Sequence, residues 1–141
     1  MILNQVSVFL ENRTGRLDEV LETLKVNDIN ILSLSLADTS DYGLLRMIVS
    51  DSEKCKASLK EAGFSAHLTP VIAVKLSHQV GKLQEVLAEI DKAGMNIEYM
   101  YAFSEGSEAN VVIRPDKLDA GLAALEKNNI KVLSEKDVCR L

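Results

Sequence analysis

A chain that repeats itself at a fixed spacing must fold as repeated units, and this one repeats at 66 residues. At that offset Val8 meets Val74, Leu10 meets Leu76, Gly15 meets Gly81 and Leu17 meets Leu83. Glu19, Val20 and Leu21 meet Glu85, Val86 and Leu87, and Asn30-Ile31 meets Asn96-Ile97. These are nine identities from Val6 to Ala37, where average residue usage supplies about two. The register runs on without a gap, pairing Leu45 with Val111, Met47 with Ile113 and Leu59 with Leu125. The organisation implied is two copies of one module, residues 1–70 and 71–141.

Within a copy the apolar period changes in a fixed order. Val6, Val8 and Leu10 recur every second residue, the period of a strand. Leu17, Val20, Leu21 and Leu24 then recur at helical spacing. Asn27-Asp28 stops that helix, and Ala93-Gly94 stops its twin, because Asn, Asp and Gly tolerate the left-handed conformation of a helix end. Strands follow over 29–37 and 44–50, joined by the polar turn Asp38-Thr39-Ser40-Asp41. A helix over 52–62 ends at Gly63, and a strand over 64–69 completes the copy. The second copy predicts strands near 71–77, 96–104, 109–114 and 130–134, with helices near 81–93 and 116–127. Pro70 marks the junction, with no flexible linker. A βαββαβ order implies an α+β, ferredoxin-like module, an antiparallel sheet with both helices on one face.

Composition removes several function classes. The formal charge is −5, with 7 basic against 10 acidic residues in 1–70 and 9 against 11 in 71–141. Neither copy has the basic footprint that a nucleic-acid backbone requires, and the strand over 44–50 lacks the aromatics of an RNA-recognition sheet. No apolar run approaches a membrane span and the first residues do not read as a signal peptide, so a cytoplasmic protein is expected. Cys55 and Cys139 share no motif spacing and are expected to be reduced thiols. His67 and His78 have no partners at metal-site spacing, and no phosphate loop, dinucleotide fingerprint or nucleophile elbow occurs. Arg13 with Asn30 is the one pair suited to catalysis on an anion, and Gln79 replaces Arg13 in the second copy. No catalysis, cofactor or metal is expected.

Both copies keep a short loop closed by glycine between the first strand and the first helix. It reads Glu11-Asn12-Arg13-Thr14-Gly15-Arg16-Leu17 in one and Ser77-His78-Gln79-Val80-Gly81-Lys82-Leu83 in the other. Both open the second strand with Asn-Ile. In these features the sequence resembles the ACT domain, a regulatory module that usually binds amino acids. The resemblance covers nearly the whole chain as a stand-alone tandem pair, strengthened by the stretches Ala37–Gly43 and Ile97–Phe103. The proline common before the glycine is replaced by Thr14 and Val80, which leaves the loop shape less constrained.

The resemblance implies an amino-acid ligand held between modules. Its contacts would come from Asn12, Arg13, Thr14, Gly15, Asn30 and Ile31 in one copy, and from His78, Gln79, Gly81, Asn96 and Ile97 in the other. Side-by-side packing as in serine-sensing relatives would set the Asn12 loop against Asn96 and the His78 loop against Asn30. It also implies a homodimer and a metabolic enzyme or regulator as partner, with an oligomerisation scaffold lacking a ligand as the alternative. The physics is compatible: a glycine opening a helix admits a ligand close to unpaired backbone N–H groups, which suit a carboxylate. Each residue also has a plainer reading. The glycines serve tight turns, the asparagines satisfy strand ends, and Asp38, Thr39 and Ser40 form a hairpin turn. Tyr99, Tyr101 and Phe103 are read as packing residues.

Overall fold

The computed structural model describes residues 2–38 and 41–139, and of Asp38, Glu105 and Cys139 the backbone alone. The chain divides into two compact units. One is Asn4–Thr69; the other is Pro70–Leu141 together with the residues up to Leu3.

The first unit contains β1 (Leu3–Glu11), α1 (Arg16–Val26), β2 (Ile31–Asp38), β3 (Tyr42–Val49), α2 (Ser52–Glu61) and the start of β4 (Ser65–Ser77). The strand order is β2-β3-β1-β4, with β3 antiparallel to both β1 and β2. Val6, Val8, Leu45, Met47 and Ala66 face Val20, Leu24, Cys55 and Leu59 of the helices, forming one buried core. The opposite face of β1 carries the buried pair Gln5 and Ser7, whose side chains share a 3.0 Å hydrogen bond. The sequence period does not distinguish such a polar buried face from a solvated one.

The second unit repeats the plan with the rest of β4, α3 (Lys82–Lys92), β5 (Ile97–Glu105), β6 (Glu108–Pro115) and α4 (Leu118–Lys127). Its strand order is β4-β6-β5, antiparallel throughout. Ile72, Val74, Val111 and Ile113 pack on Val86, Ile90 and Leu125. Gly121 permits that packing, since a Cβ there would lie 2.9 Å from the Pro115 ring. Each unit is therefore a ferredoxin-like module with its helices on one face.

All four long helices end the same way. Asp28, Gly63, Gly94 and Asn129 take positive φ. The next amide reaches back to Leu24, Leu59, Ile90 or Leu125, the six-to-one bond of a Schellman end. These ends come from single residues, which is why they are legible in the sequence.

Two features differ from expectation, and the burial of β2 adds a third observation. The strands expected over 64–69 and 71–77 are one continuous strand, β4, running through Pro70. Pro70 lacks an N–H but its carbonyl accepts from Arg114 Nη1. The strand expected over 130–134 is reduced to one bridge, Val132 to Val74. Chain beyond it turns into a short helix, α5 (Glu135–Cys139). A capping box explains the change: Ser134 Oγ accepts from the Asp137 amide at 3.2 Å, and Asp137 Oδ2 accepts from the Ser134 amide at 2.9 Å. Finally, β2 exposes Leu34 and Leu36 (47% and 48%) while burying Ser33. Among the described residues β2 pairs with β3 alone, and Leu34 and Leu36, opposite the core residues Met47 and Leu45, stand exposed at the margin of that sheet face.

Candidate functional site

The two glycine-closed loops share one backbone frame. After β1, the Asn12 amide donates to Asp41 O at 3.0 Å and the Arg13 amide to Glu11 O at 2.8 Å. In the second module the His78 amide donates to Ser107 O at 3.3 Å and the Gln79 amide to Ser77 O at 2.8 Å. Gly15 (φ 90°) and Gly81 (φ 87°) then turn left-handed, and each carbonyl accepts the first helical bond at 3.0 Å. No atom lies within 4 Å of where either Cβ would stand, so conformation, not crowding, selects glycine. Neither α1 nor α3 has a side-chain cap, which leaves first-turn N–H groups without a side-chain acceptor.

The loops present different side chains. Asn12, Arg13 and Thr14 are exposed, with Arg13 Nε 3.0 Å from Glu11 Oε2. Both partners of that ion pair are more than half exposed, so it contributes little to stability. His78, Gln79 and Val80 are exposed as well, and Val80 stands wholly in water. Gln79 and Gly81 border a hollow of about 590 Å³ that continues over Leu83 and Leu87 of α3.

The strand openings are matched too. The Asn30 amide donates to Ser50 Oγ at 3.0 Å, and the Ser50 amide returns a bond to Asn30 O at 2.9 Å. The Asn96 amide donates to Asp116 Oδ1 at 3.0 Å, with the Asp116 amide returning at 2.9 Å. Both asparagine side chains are exposed. Asn30 and Ile31 border a hollow of about 510 Å³ at the end of α1, while Ile31 and Ile97 are half-buried against their cores. The topology separates each asparagine from its own loop. Asn12 precedes α1 and Asn30 follows it, and eleven helical residues span about 16 Å. His78 and Asn96 are likewise divided by α3. One module alone therefore does not bring its loop and its asparagine onto one small ligand.

Other candidate chemistry is absent among the described residues. No group of His, Cys, Asp and Glu side chains suits a metal ion, and no helix is long and apolar enough to cross a membrane. Cys55 is fully buried, and burial, with the nearby Asp51 carboxylate, pushes its thiol up to about 12. It is protonated at neutral pH and inert as a nucleophile. His67 is exposed, with Nε2 3.2 Å from Ser65 Oγ and its ring edge-on to Phe9. Tyr99, Tyr101 and Phe103 are half-buried on the face of β5 away from the helices. Thr39 and Ser40 lie outside the described residues.

Residues 1–141 match the family described as an ACT domain pair. The chain belongs to that family. An ACT pair is a regulatory domain type. A Bacteroides thetaiotaomicron protein of known crystal structure is 39% identical, covering 100% of this chain and 98% of its own, with a TM-score of 0.95. The ligand-free regulatory subunit of aspartate kinase from Thermus thermophilus is 14% identical, covering 88% and 90%, with a TM-score of 0.61. The corresponding subunit from Thermus flavus is 19% identical, covering 89% and 92%, at 0.57. These two likenesses concern the fold. No curated protein matches the chain.

One feature within the ACT pair escaped the sequence reading. Arg16 lies over the Phe64 ring, its guanidinium carbon 4.4 Å from the centroid. The equivalent positions in the second module are Lys82 and Ile130. The signal was available as two non-identities at the 66-residue offset, one on either side of the same gap.

Proposed function

We propose that this ACT pair is a non-catalytic, cytoplasmic regulatory protein that binds a free amino acid at its β1–α1 and β4–α3 loops. The observation that carries the reading is the duplicated loop frame. A left-handed glycine opens an uncapped helix, and an exposed Asn12 or His78 stands beside it. The helix N-terminus suits the carboxylate, and an amide side chain offers both a donor and an acceptor to the α-ammonium and carboxylate groups. The separation of about 16 Å argues that Asn30 or Asn96 is supplied by a second module. A homodimer is one source of it, and occupancy would then alter association with a metabolic enzyme or regulator.

A thermal-shift screen against the twenty amino acids tests this reading. A ligand at a hundred times its dissociation constant adds about 2.7 kcal/mol, a rise of roughly 5–11 °C for a chain of this size. One or two selective hits support a sensor. A flat screen favours a second reading, an oligomerisation scaffold without ligand, for which the exposed Leu34 and Leu36 on the unpaired β2 edge speak.

A further inference from the structure

The two modules fill the gap between their first helix and the segment after their second helix differently. In the first, Arg16 folds inward onto the buried Phe64 ring, its Nη1 is 2.6 Å from Glu19, and its side chain is only 18% exposed. In the second, Lys82 replaces the arginine, and an ammonium has no planar face to lay on a ring. Ile130 replaces the phenylalanine. The Lys82 side chain is 42% exposed and reaches Glu85 at 3.4 Å. The unplugged gap is a cleft of about 460 Å³, in the range of small-molecule sites.

Its lining specifies an occupant. Leu76, Val86 and Ile130 supply apolar surface, and Lys75, Lys82 and Lys131 supply ammonium groups. Lys75 is engaged by Glu108 at 3.9 Å, Lys82 by Glu85, and Glu89 by Lys92 at 3.3 Å. Four lysines thus stand against three glutamates, an excess of one positive charge. Glu85 and Glu89 on the α3 wall repel a dianion such as phosphate. We propose that this cleft binds a short aliphatic carboxylate, its acid group received by Lys131 and its chain laid on the apolar floor. The site lies wholly within the second module and meets the second glycine loop only at its ends, Ser77 and Lys82, leaving His78, Gln79 and Gly81 outside its lining.

The test is a titration of the full chain, followed by amide chemical shifts, with leucine and with its amine-free analogue 4-methylpentanoate. Shifts centred on residues 128–131 and the first turns of α3 are expected with at least one of them. Response to leucine alone points to an amino acid whose ammonium meets Glu85 or Glu89, and response to the analogue, with or without leucine, to a simple acid. Lys131→Gln should weaken binding about tenfold, the loss of one charge-assisted contact. Lys82→Arg with Ile130→Phe rebuilds the first module's plug and should abolish binding while the chain stays folded. Lys60→Gln, an exposed lysine of α2 in the first module, should leave it unchanged. No response to either probe overturns the proposal. So does wild-type binding in the folded plug variant or in Lys131→Gln, the latter deciding the matter if the plug variant does not fold. Binding lost in Asn12→Ala but kept in Lys131→Gln assigns the ligand to the loops instead.

Discussion

The two modules are alike in backbone and unlike in what the backbone carries. Their loops and strand openings are framed by equivalent hydrogen bonds, and their helices end on the same six-to-one backbone bond. Yet Arg13 is replaced by Gln79 in the second copy, the Arg16–Phe64 stack by an open cleft, and Cys55 by Gly121. A duplicated fold holds positions fixed by conformation, such as a left-handed glycine, and leaves side chains at those positions free to diverge. The fold is therefore set by what the copies share, and any division of labour by what they do not.

Equivalent substitutions probe that contrast directly. The largest effect is expected where the copies agree: Leu59→Ala and Leu125→Ala, both fully buried, should each cost about 2–5 kcal/mol in denaturant unfolding. A tolerated change in only one of them would break the equivalence of the cores. Next, Asn12→Ala and Asn30→Ala should each weaken amino-acid binding by about 1–3 kcal/mol in calorimetry with the fold intact. Running His78→Ala and Asn96→Ala beside them shows which loop is in use; wild-type affinity in all four would remove the loop assignment.

Arg16→Ala should lose about 1–2 kcal/mol of stability, from the ring contact and the packing of its stem. Lys82→Ala, with no ring to leave, should fall within about 0.5 kcal/mol of wild type. Equal losses would mean that the stack is incidental. The smallest contrast is a helix cap. Asp51 accepts from the Lys54 amide at 3.1 Å, whereas its counterpart Lys117 caps nothing with its side chain. Asp51→Ala should cost about 1 kcal/mol, and Lys117→Asp should raise the melting temperature by the same mechanism.

Much of the fold was legible because it is encoded locally. Gly15, Gly63, Gly81 and Gly94 mark turns through φ, and the periods of Val6–Leu10 and Leu17–Leu24 mark elements through burial. What was missed depends on contacts between distant residues. Pro70 reads as a junction between two strands, but they are one strand there, and the Pro70 carbonyl is held by Arg114, far along the chain. Residues 130–134 read as a strand, although Ser134 and Asp137 carry a capping signature that was there to be read. For the loops, the sequence located the residues but not their separation, which follows only once a whole helix is laid between Asn12 and Asn30. The Lys131 cleft was invisible for another reason: a void is defined by what fails to fill it.

Val80 has a practical consequence. It takes the place of Thr14, at the tip of the second glycine loop, and touches nothing of its own chain that would hide it from water. The sequence contains no tryptophan. An indole placed at position 80 would therefore be the protein's sole emitter in its spectral range, starting from the red limit of a fully hydrated ring. A blue shift of its fluorescence would report, in real time and without labelling, the moment that anything closes over this loop.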